Sequence, residues 1–307
     1  MNFEKLPVTR CAAFAKAVAL AAVLALGSGA AQAVQKFFAT PQAAMDAFGE
    51  AIATSDSEAI KDLLGDDYRR LIPPLGAEVR YQFIAAWAKA HSITPQGEAR
   101  AEIAVGTQGW TLPIPLVKSA QGWRFDTAAG AEEMRLRRIG RNELAVMQVM
   151  LAIYDAQRDY ASIDRNGDGV LEYANRIAST PGKTDGLYWP TAAGVAQSPL
   201  GPAVAAAQAA GGNAEAGYHG YRYKLLDGQG AHAPGGAYDY TVRGREIGGF
   251  AAVAWPAKYG DTGVMTFMVS HDGLVYEKDL GPQTAARAAA LTRFDPDSSW
   301  RRVSPGT

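Results

Sequence analysis

The stretch Asp164-Arg-Asn166-Gly-Asp168-Gly169-Val-Leu-Glu172 holds the residue types and spacing best suited to chemistry in this chain. Oxygens at loop positions 1, 3 and 5 followed by a glycine can wrap a hard cation, which takes roughly six to eight oxygen ligands. Asp164, Asn166 and Asp168 supply side-chain oxygens, Val170 a backbone carbonyl, and Glu172 a carboxylate that ligates directly or through water. Calcium is the cofactor such a loop would take. The twelfth position is Asn175, where an EF-hand has a bidentate glutamate. Strand-like Gly-Leu-Tyr-Trp then follows where an EF-hand has a second helix. A loose site without EF-hand geometry is therefore expected. The same residue types favour tight turns with no metal at all, so a turn ending the preceding helix is the competing reading.

Other groups are less suggestive. Asp155 and Asp159 lie one helical turn apart and could pair as acid and base, with Asp164 not far along the chain. Arg158 beside them fits a solvated face. Ser270-His271-Asp272 contains the three triad residue types, but contiguous residues at a hairpin turn cannot converge as a triad. His91, His219, His232 and His271 show no H-x-x-x-H spacing and have no cysteine partners, so zinc is not indicated. No G-x-S-x-G, P-loop or strand-linked G-x-G-x-x-G occurs. The aromatic set Tyr188, Trp189, Tyr218, Tyr221, Tyr223, Tyr238, Tyr240, Trp255 and Tyr259 could line a sugar or peptide pocket. Such residues also fill β cores, which is where most are expected. Arg135, Arg137, Arg138 and Arg141, with Glu132, Glu133 and Glu143 near them, read as a salt-bridge seam between two units.

These residues need elements to hold them. Thr40-Pro41 opens a helix whose face carries Ala44, Phe48, Ala51 and Ile52. Asp56 or Ser57 caps a second helix with Ile60, Leu63 and Leu64. A third is expected from Arg80 to His91, with Phe83, Ile84 and Trp87 as its stripe. Ala99–Val105 alternates as a half-buried strand. Trp110–Val117 and Gly122–Phe125 form a hairpin, and Pro113 and Pro115 place its first strand at an edge or a bulge. From Glu132 to Ser162 one long helix is expected, divided at Gly140. Strands follow at 218–226, 238–242, 248–255, 264–269 and 274–278, joined by glycine-marked turns, which indicates an antiparallel sheet. The Ala-rich stretch 203–216 could be a helix ending at Gly211-Gly212. The fold class is α+β. Helices followed by a curved antiparallel sheet resemble nuclear-transport-factor-2-like (NTF2-like) domains. A long helix on an antiparallel sheet resembles the soluble head of a pseudopilin.

The first residues set the compartment. Lys5, Arg10 and Lys16 precede ten apolar residues, Ala17–Leu26, and then Ala31-Gln-Ala33. That order is a Sec-type secretion signal cleaved after Ala33, and about 15 Å of helix is half of a bilayer core of roughly 30 Å. Residues 1–33 are thus a signal peptide, 34–130 an NTF2-like unit, and 131–307 a long helix with an antiparallel sheet. The expected location is periplasmic or secreted. Cleavage leaves 274 residues, removes Cys11, the one cysteine, and takes the formal charge from −1 to −3. A cysteine-free chain must fold by core burial, for which 48% apolar residues suffice. Near-neutral charge argues against nucleic acid as a partner. No later segment is apolar enough to span a membrane.

Several segments together resemble a bacterial exported family of unknown function, number 2950 in its series. They include Leu112-Pro-Ile-Pro-Leu-Val117, Trp123-Arg-Phe-Asp-Thr-Ala-Ala-Gly130, Arg138-Ile-Gly-Arg-Asn-Glu-Leu-Ala145, Asp168-Gly-Val-Leu-Glu-Tyr-Ala174, Pro181-Gly-Lys-Thr-Asp-Gly-Leu-Tyr-Trp-Pro190 and Lys278-Asp-Leu-Gly-Pro282. The likeness covers nearly the whole mature chain. It implies export and one family unit, and it carries no activity and no catalytic residue. Two functions follow as expectations. One is a non-catalytic envelope module that binds an envelope protein, glycan or peptide, or serves as a scaffold supporting a secretion assembly. The other is an envelope-polymer hydrolase working through carboxylates such as Asp155, Asp159 or Asp164.

Overall fold

The computed structural model describes residues 35–73, 76–191, 197–206 and 217–303. The expected signal, 1–33, and the Ala-rich stretch beyond Ala206 lie outside the described residues. The architecture is α+β, with helices against antiparallel sheets.

The N-terminal helices start where their caps put them. Thr40 Oγ1 accepts the Ala43 N–H at 3.1 Å ahead of α1 (Pro41–Thr54). Asp56 takes the Glu58 and Ala59 N–H groups ahead of α2 (Ser57–Leu64). A short α3 (Tyr68–Leu71) and α4 (Ala77–Lys89) follow. The sheet then runs β1 (His91–Pro95), β2 (Arg100–Val105), β3 (Trp110–Thr111), β4 (Leu116–Ser119) and β5 (Gly122–Phe125). Its order is β1-β2-β4-β5, with β3 also on β2. Pro113 and Pro115, which have no N–H to give a ladder, split the expected strand 110–117 into β3 and β4. The third helix stops two residues before His91, which opens β1. Met45, Phe48, Leu63, Ile103, Leu116 and Phe125 form the buried centre of this part. Each such side chain contributes about 1.5–3 kcal/mol by leaving water.

Asp126 caps the next helix through the Ala129 N–H, so α5 begins at Thr127 and runs unbroken to Tyr160. Gly140 does not divide it, because the hydrogen-bonded turns on either side carry a single glycine at a cost of only about 1 kcal/mol. After a short α6 (Pro202–Ala206), the main sheet is built from β6 (Tyr221–Leu226), β11 (Ala251–Pro256), β12 (Met265–Ser270), β13 (Val275–Asp279) and β15 (Arg301–Val303), in the order β15-β13-β12-β11-β6. Short pieces lie between and after them. These are β7 (Gly228–Gln229), β8 (Tyr238–Asp239), β9 (Thr241–Val242), β10 (Arg245–Glu246), α7 (Thr284–Ala290) and β14 (Arg293–Phe294). All six residues of β11 are buried because the sheet is covered on both faces. Ala252 and Ala254 face the α5 side with Phe267 and Val269. Val253 and Trp255 face the other side with Met268, Ala288 and Phe294. That period-two division makes three layers: α5, the main sheet, and α7 with the β14-β7-β8 sheet.

Candidate functional site

The loop 164–172 is closed by its own side chains. Asp164 Oδ1 accepts the Gly167 N–H and Oδ2 the Gly169 N–H, both at 2.8 Å. Those backbone donors, Gly169 first, hold the Asp164 carboxyl below the usual carboxylate range. Asn166 Oδ1 accepts from Asp168 N, and Asp168 Oδ1 from Val170 N. Gly167 and Gly169 have φ of +76° and +83°, a region that penalises a Cβ. Asn166 Nδ2 donates to Glu172 Oε1 at 2.8 Å, so loop positions 3 and 9 meet. Asp168 Oδ2 lies 2.6 Å from the Arg245 guanidinium. The five nominated residues thus share one loop, with the carboxylates of Asp164 and Asp168 directed at backbone N–H groups and at an arginine, and that of Glu172 at the Asn166 amide. Among the described residues no three Asp, Glu, His or Cys side chains gather as a metal cluster. The loop's remaining oxygens come from an amide and a backbone carbonyl.

Behind the loop, Gln157 has a role with no local signature. It is fully buried on α5, and its amide exchanges two bonds with Ala174, Nε2 to the carbonyl at 2.8 Å and Oε1 from the N–H at 2.9 Å. Tyr173 N–H donates to Glu246 O at 2.8 Å. A cavity of about 300 Å³ opens here, lined by Gln157, Arg176, Asp227, Thr241, Glu246 and Phe250, among others. Glu246 is buried and accepts the Thr241 hydroxyl at 2.6 Å. Burial pushes its carboxyl up, and Asp227 and Glu172 add to the effect. A glutamate two residues beyond a glycine turn carries no sequence signature of burial.

The helix acids do not meet one another across a cleft. Asp155 and Asp159 are both exposed on α5. Ser270 Oγ takes the Asp272 N–H at 3.3 Å in the β12–β13 turn, and the His271 ring packs edge-on to Tyr240 with Nε2 3.3 Å from the Tyr238 hydroxyl. Ser270 and His271 therefore make no nucleophile–base pair. His91 stacks on Trp87, and His232 lies 3.1 Å from Asp295, so the histidines are dispersed. Trp189, Tyr221, Tyr223, Tyr240 and Trp255 are buried, which makes most of the aromatic set core.

The arginine run bridges the two cores. Arg137 reaches Thr111 O at 2.7 Å on one side of α5 and Glu133 at 2.7 Å on the same helix. Arg135 binds Gly260 O, Arg138 binds Asp261, and Asn142 Nδ2 reaches Thr262 O at 2.8 Å on the other side. Glu143 Oε1 accepts the N–H groups of Val264 and Met265 at 2.8 and 3.0 Å.

The most apolar pocket lies in the N-terminal part. It has a volume of about 490 Å³ and lies between α1, α4 and the Leu112-Pro-Ile114 segment. Ile52, Ile60, Phe83, Trp110 and Ile114 line it. No residue of α4 is fully buried, although the helix carries Val79, Phe83, Ile84 and Trp87. Val79 is 51% exposed and Trp110 45% exposed at the rim. The helical stripe could be read in the sequence. That it would border a cavity could not, because the facing wall comes from Ile52 and Ile60 earlier in the chain and from Trp110 and Ile114 later in it.

The fold and its sites define an α+β protein with one hydrophobic cluster in its N-terminal part and one on each face of the main sheet, carrying an apolar pocket in the former and a polar cavity beside the latter. The chain belongs to the protein family of unknown function DUF2950, whose model matches residues 35–303. No curated protein matches the chain, and no solved structure does. Among the described residues no helix is long and apolar enough to cross a membrane.

Proposed function

We propose that this protein is an exported module of the bacterial envelope that works by binding rather than by catalysis, and that its binding site is the N-terminal apolar pocket. In this reading residues 1–33 are a signal cleaved after Ala33, 34–130 an NTF2-like unit and 131–307 a pseudopilin-head-like unit. The protein acts in the periplasm or outside the cell, on an apolar group presented by an envelope component. The observation that carries the reading is the pocket itself. A helix with a strong apolar stripe and no fully buried residue borders about 490 Å³ of mostly hydrocarbon wall, a size and lining suited to a small ligand. The loop 164–172 is proposed as a weak calcium site that steadies the far end of the molecule. Support comes from the oxygen-bearing residues Asp164, Asn166, Asp168 and Glu172 gathered on one loop, and a bound cation would have to displace Arg245 from Asp168.

The test is fluorescence titration of the purified protein with the neutral apolar dye N-phenyl-1-naphthylamine. Saturable binding is expected, and Val79→Trp at the exposed rim should abolish it while leaving the melting temperature close to wild type. Absence of binding to the wild-type protein would remove the reading.

One observation favours hydrolysis of an envelope polymer instead. The cavity around Glu246 and Asp227 brings a buried carboxyl, pushed up by its burial, near a second acid. These are not the acids that the sequence nominates. Release of soluble fragments from purified peptidoglycan, lost in Glu246→Gln, would support that second reading over the first.

A further inference from the structure

The apolar pocket has one charged side chain in its wall, Arg80. Arg80 sits on α4 with its guanidinium against Ser55 Oγ and 5.7 Å from the Tyr81 ring. Its Nε is buried with no hydrogen-bond partner. Neither contact is an anion, and among the described residues no carboxylate pairs with it. Other guanidinium groups along this end of α5 have carboxylate partners, Arg135 with Glu132, Arg137 with Glu133 and Arg138 with Asp261, and those on neutral acceptors, such as Arg124 and Arg287, do not line an apolar pocket. A buried N–H donor without an acceptor is costly, and most severely so on an ionised group. An arginine left in that state beside hydrocarbon walls is complementary to an anion attached to an apolar tail.

Trp110, Pro113 and Met134 are shared between the apolar pocket and an adjoining groove that carries Arg141 beside the carboxylate-paired Arg137 and Arg138. A neutral or cationic occupant would leave Arg80 unpaired, and a short anion would leave the apolar wall in water. A second copy of the chain would have to insert an acidic side chain at the tip of an apolar one.

Resting on the reading of this pocket as the binding site, we infer that its occupant is a linear aliphatic monocarboxylate, with the tail along Ile52, Phe83 and Ile114 and the carboxylate on the Arg80 guanidinium. Arg80 is the specificity-determining residue, since the hydrocarbon wall alone does not distinguish head groups. A charge-assisted hydrogen bond is about twice as strong as a neutral one.

The experiment is displacement of bound N-phenyl-1-naphthylamine at pH 8 by decanoate, decanol, decyltrimethylammonium and butyrate, each below its micelle-forming concentration. Decanoate should displace the dye at about tenfold lower concentration than decanol or the cation, and butyrate should not displace it. Arg80→Gln should retain dye binding and lose the preference for decanoate, Arg80→Lys should keep part of it, and Arg141→Gln should leave it intact. Equal displacement by the three ten-carbon probes would overturn the assignment while leaving the pocket as a binding site. So would a preference that survives Arg80→Gln, or one abolished by Arg141→Gln alone. Failure of the dye to bind wild type would instead defeat the pocket reading itself. A dimer whose dissociation parallels dye uptake would make a second copy the occupant.

Discussion

Gln157 and Glu246 show how much the polar interior depends on single groups. Gln157 satisfies both backbone groups of Ala174 in a fully buried setting. Gln157→Ala should lower unfolding free energy by about 2–3 kcal/mol in urea titration, because an N–H and a carbonyl are left unpaired. Glu246 has the opposite sign from an ordinary surface acid. Its folded-state pKa lies above the unfolded value, so its contribution is fully present below that value and is lost as pH rises through the folded pKa. Glu246→Gln keeps an acceptor for Thr241 and should be more stable than wild type at neutral pH, with the difference closing as pH falls below the unfolded-state pKa. Asp164, held low by backbone donors, runs the other way, and its stabilisation is lost as pH falls through its depressed pKa. For the loop it serves, calorimetric titration should show weak calcium uptake at millimolar concentration, lost in Asp164→Ala and Asp168→Ala. If wild type takes up no heat and gains no melting temperature, the loop is a metal-free turn. The loop's residues were legible in the sequence, because Asp, Asn and Gly spacing is local. Gln157, Glu246 and Arg80 were not, because what matters at each is a partner or a void supplied by chain far away.

At the level of elements, what the sequence made legible follows the range of the forces involved. Caps at Thr40 and Asp56 and the hydrophobic stripes place α1 and α2 where the residues predict them, since cap and stripe lie within a few residues of each other. The glycine turns likewise locate β11, β12 and β13. β1 is largely exposed, with no alternation to read, so its pairing with β2 had no local signature. β14 and β15 are two and three residues long and exist through their partners. The most consequential contact between elements is Glu143, whose carboxylate ties α5 to the start of β12 through two N–H groups and lies 3.5 Å from the Tyr221 hydroxyl. Glu143→Ala should cost about 2 kcal/mol in chemical denaturation. Glu143→Gln, which can still accept, should cost less. Equal loss in both variants would show that the charge, not the acceptor, matters.

For the whole molecule, α5 is the common support. Its N-terminal half carries arginines to both cores, and its C-terminal half covers the main sheet and ends in the loop at Asp164. The two cavities therefore sit near opposite stretches of one helix, and ligand binding is proposed at the apolar one bordered by α4. Hydrogen–deuterium exchange with and without N-phenyl-1-naphthylamine distinguishes the two directly. Binding in the N-terminal pocket predicts slower amide exchange across 77–89 and around Trp110, with exchange at 227–246 unchanged. Protection confined to 227–246, or none at 77–89 at saturating dye, would contradict it.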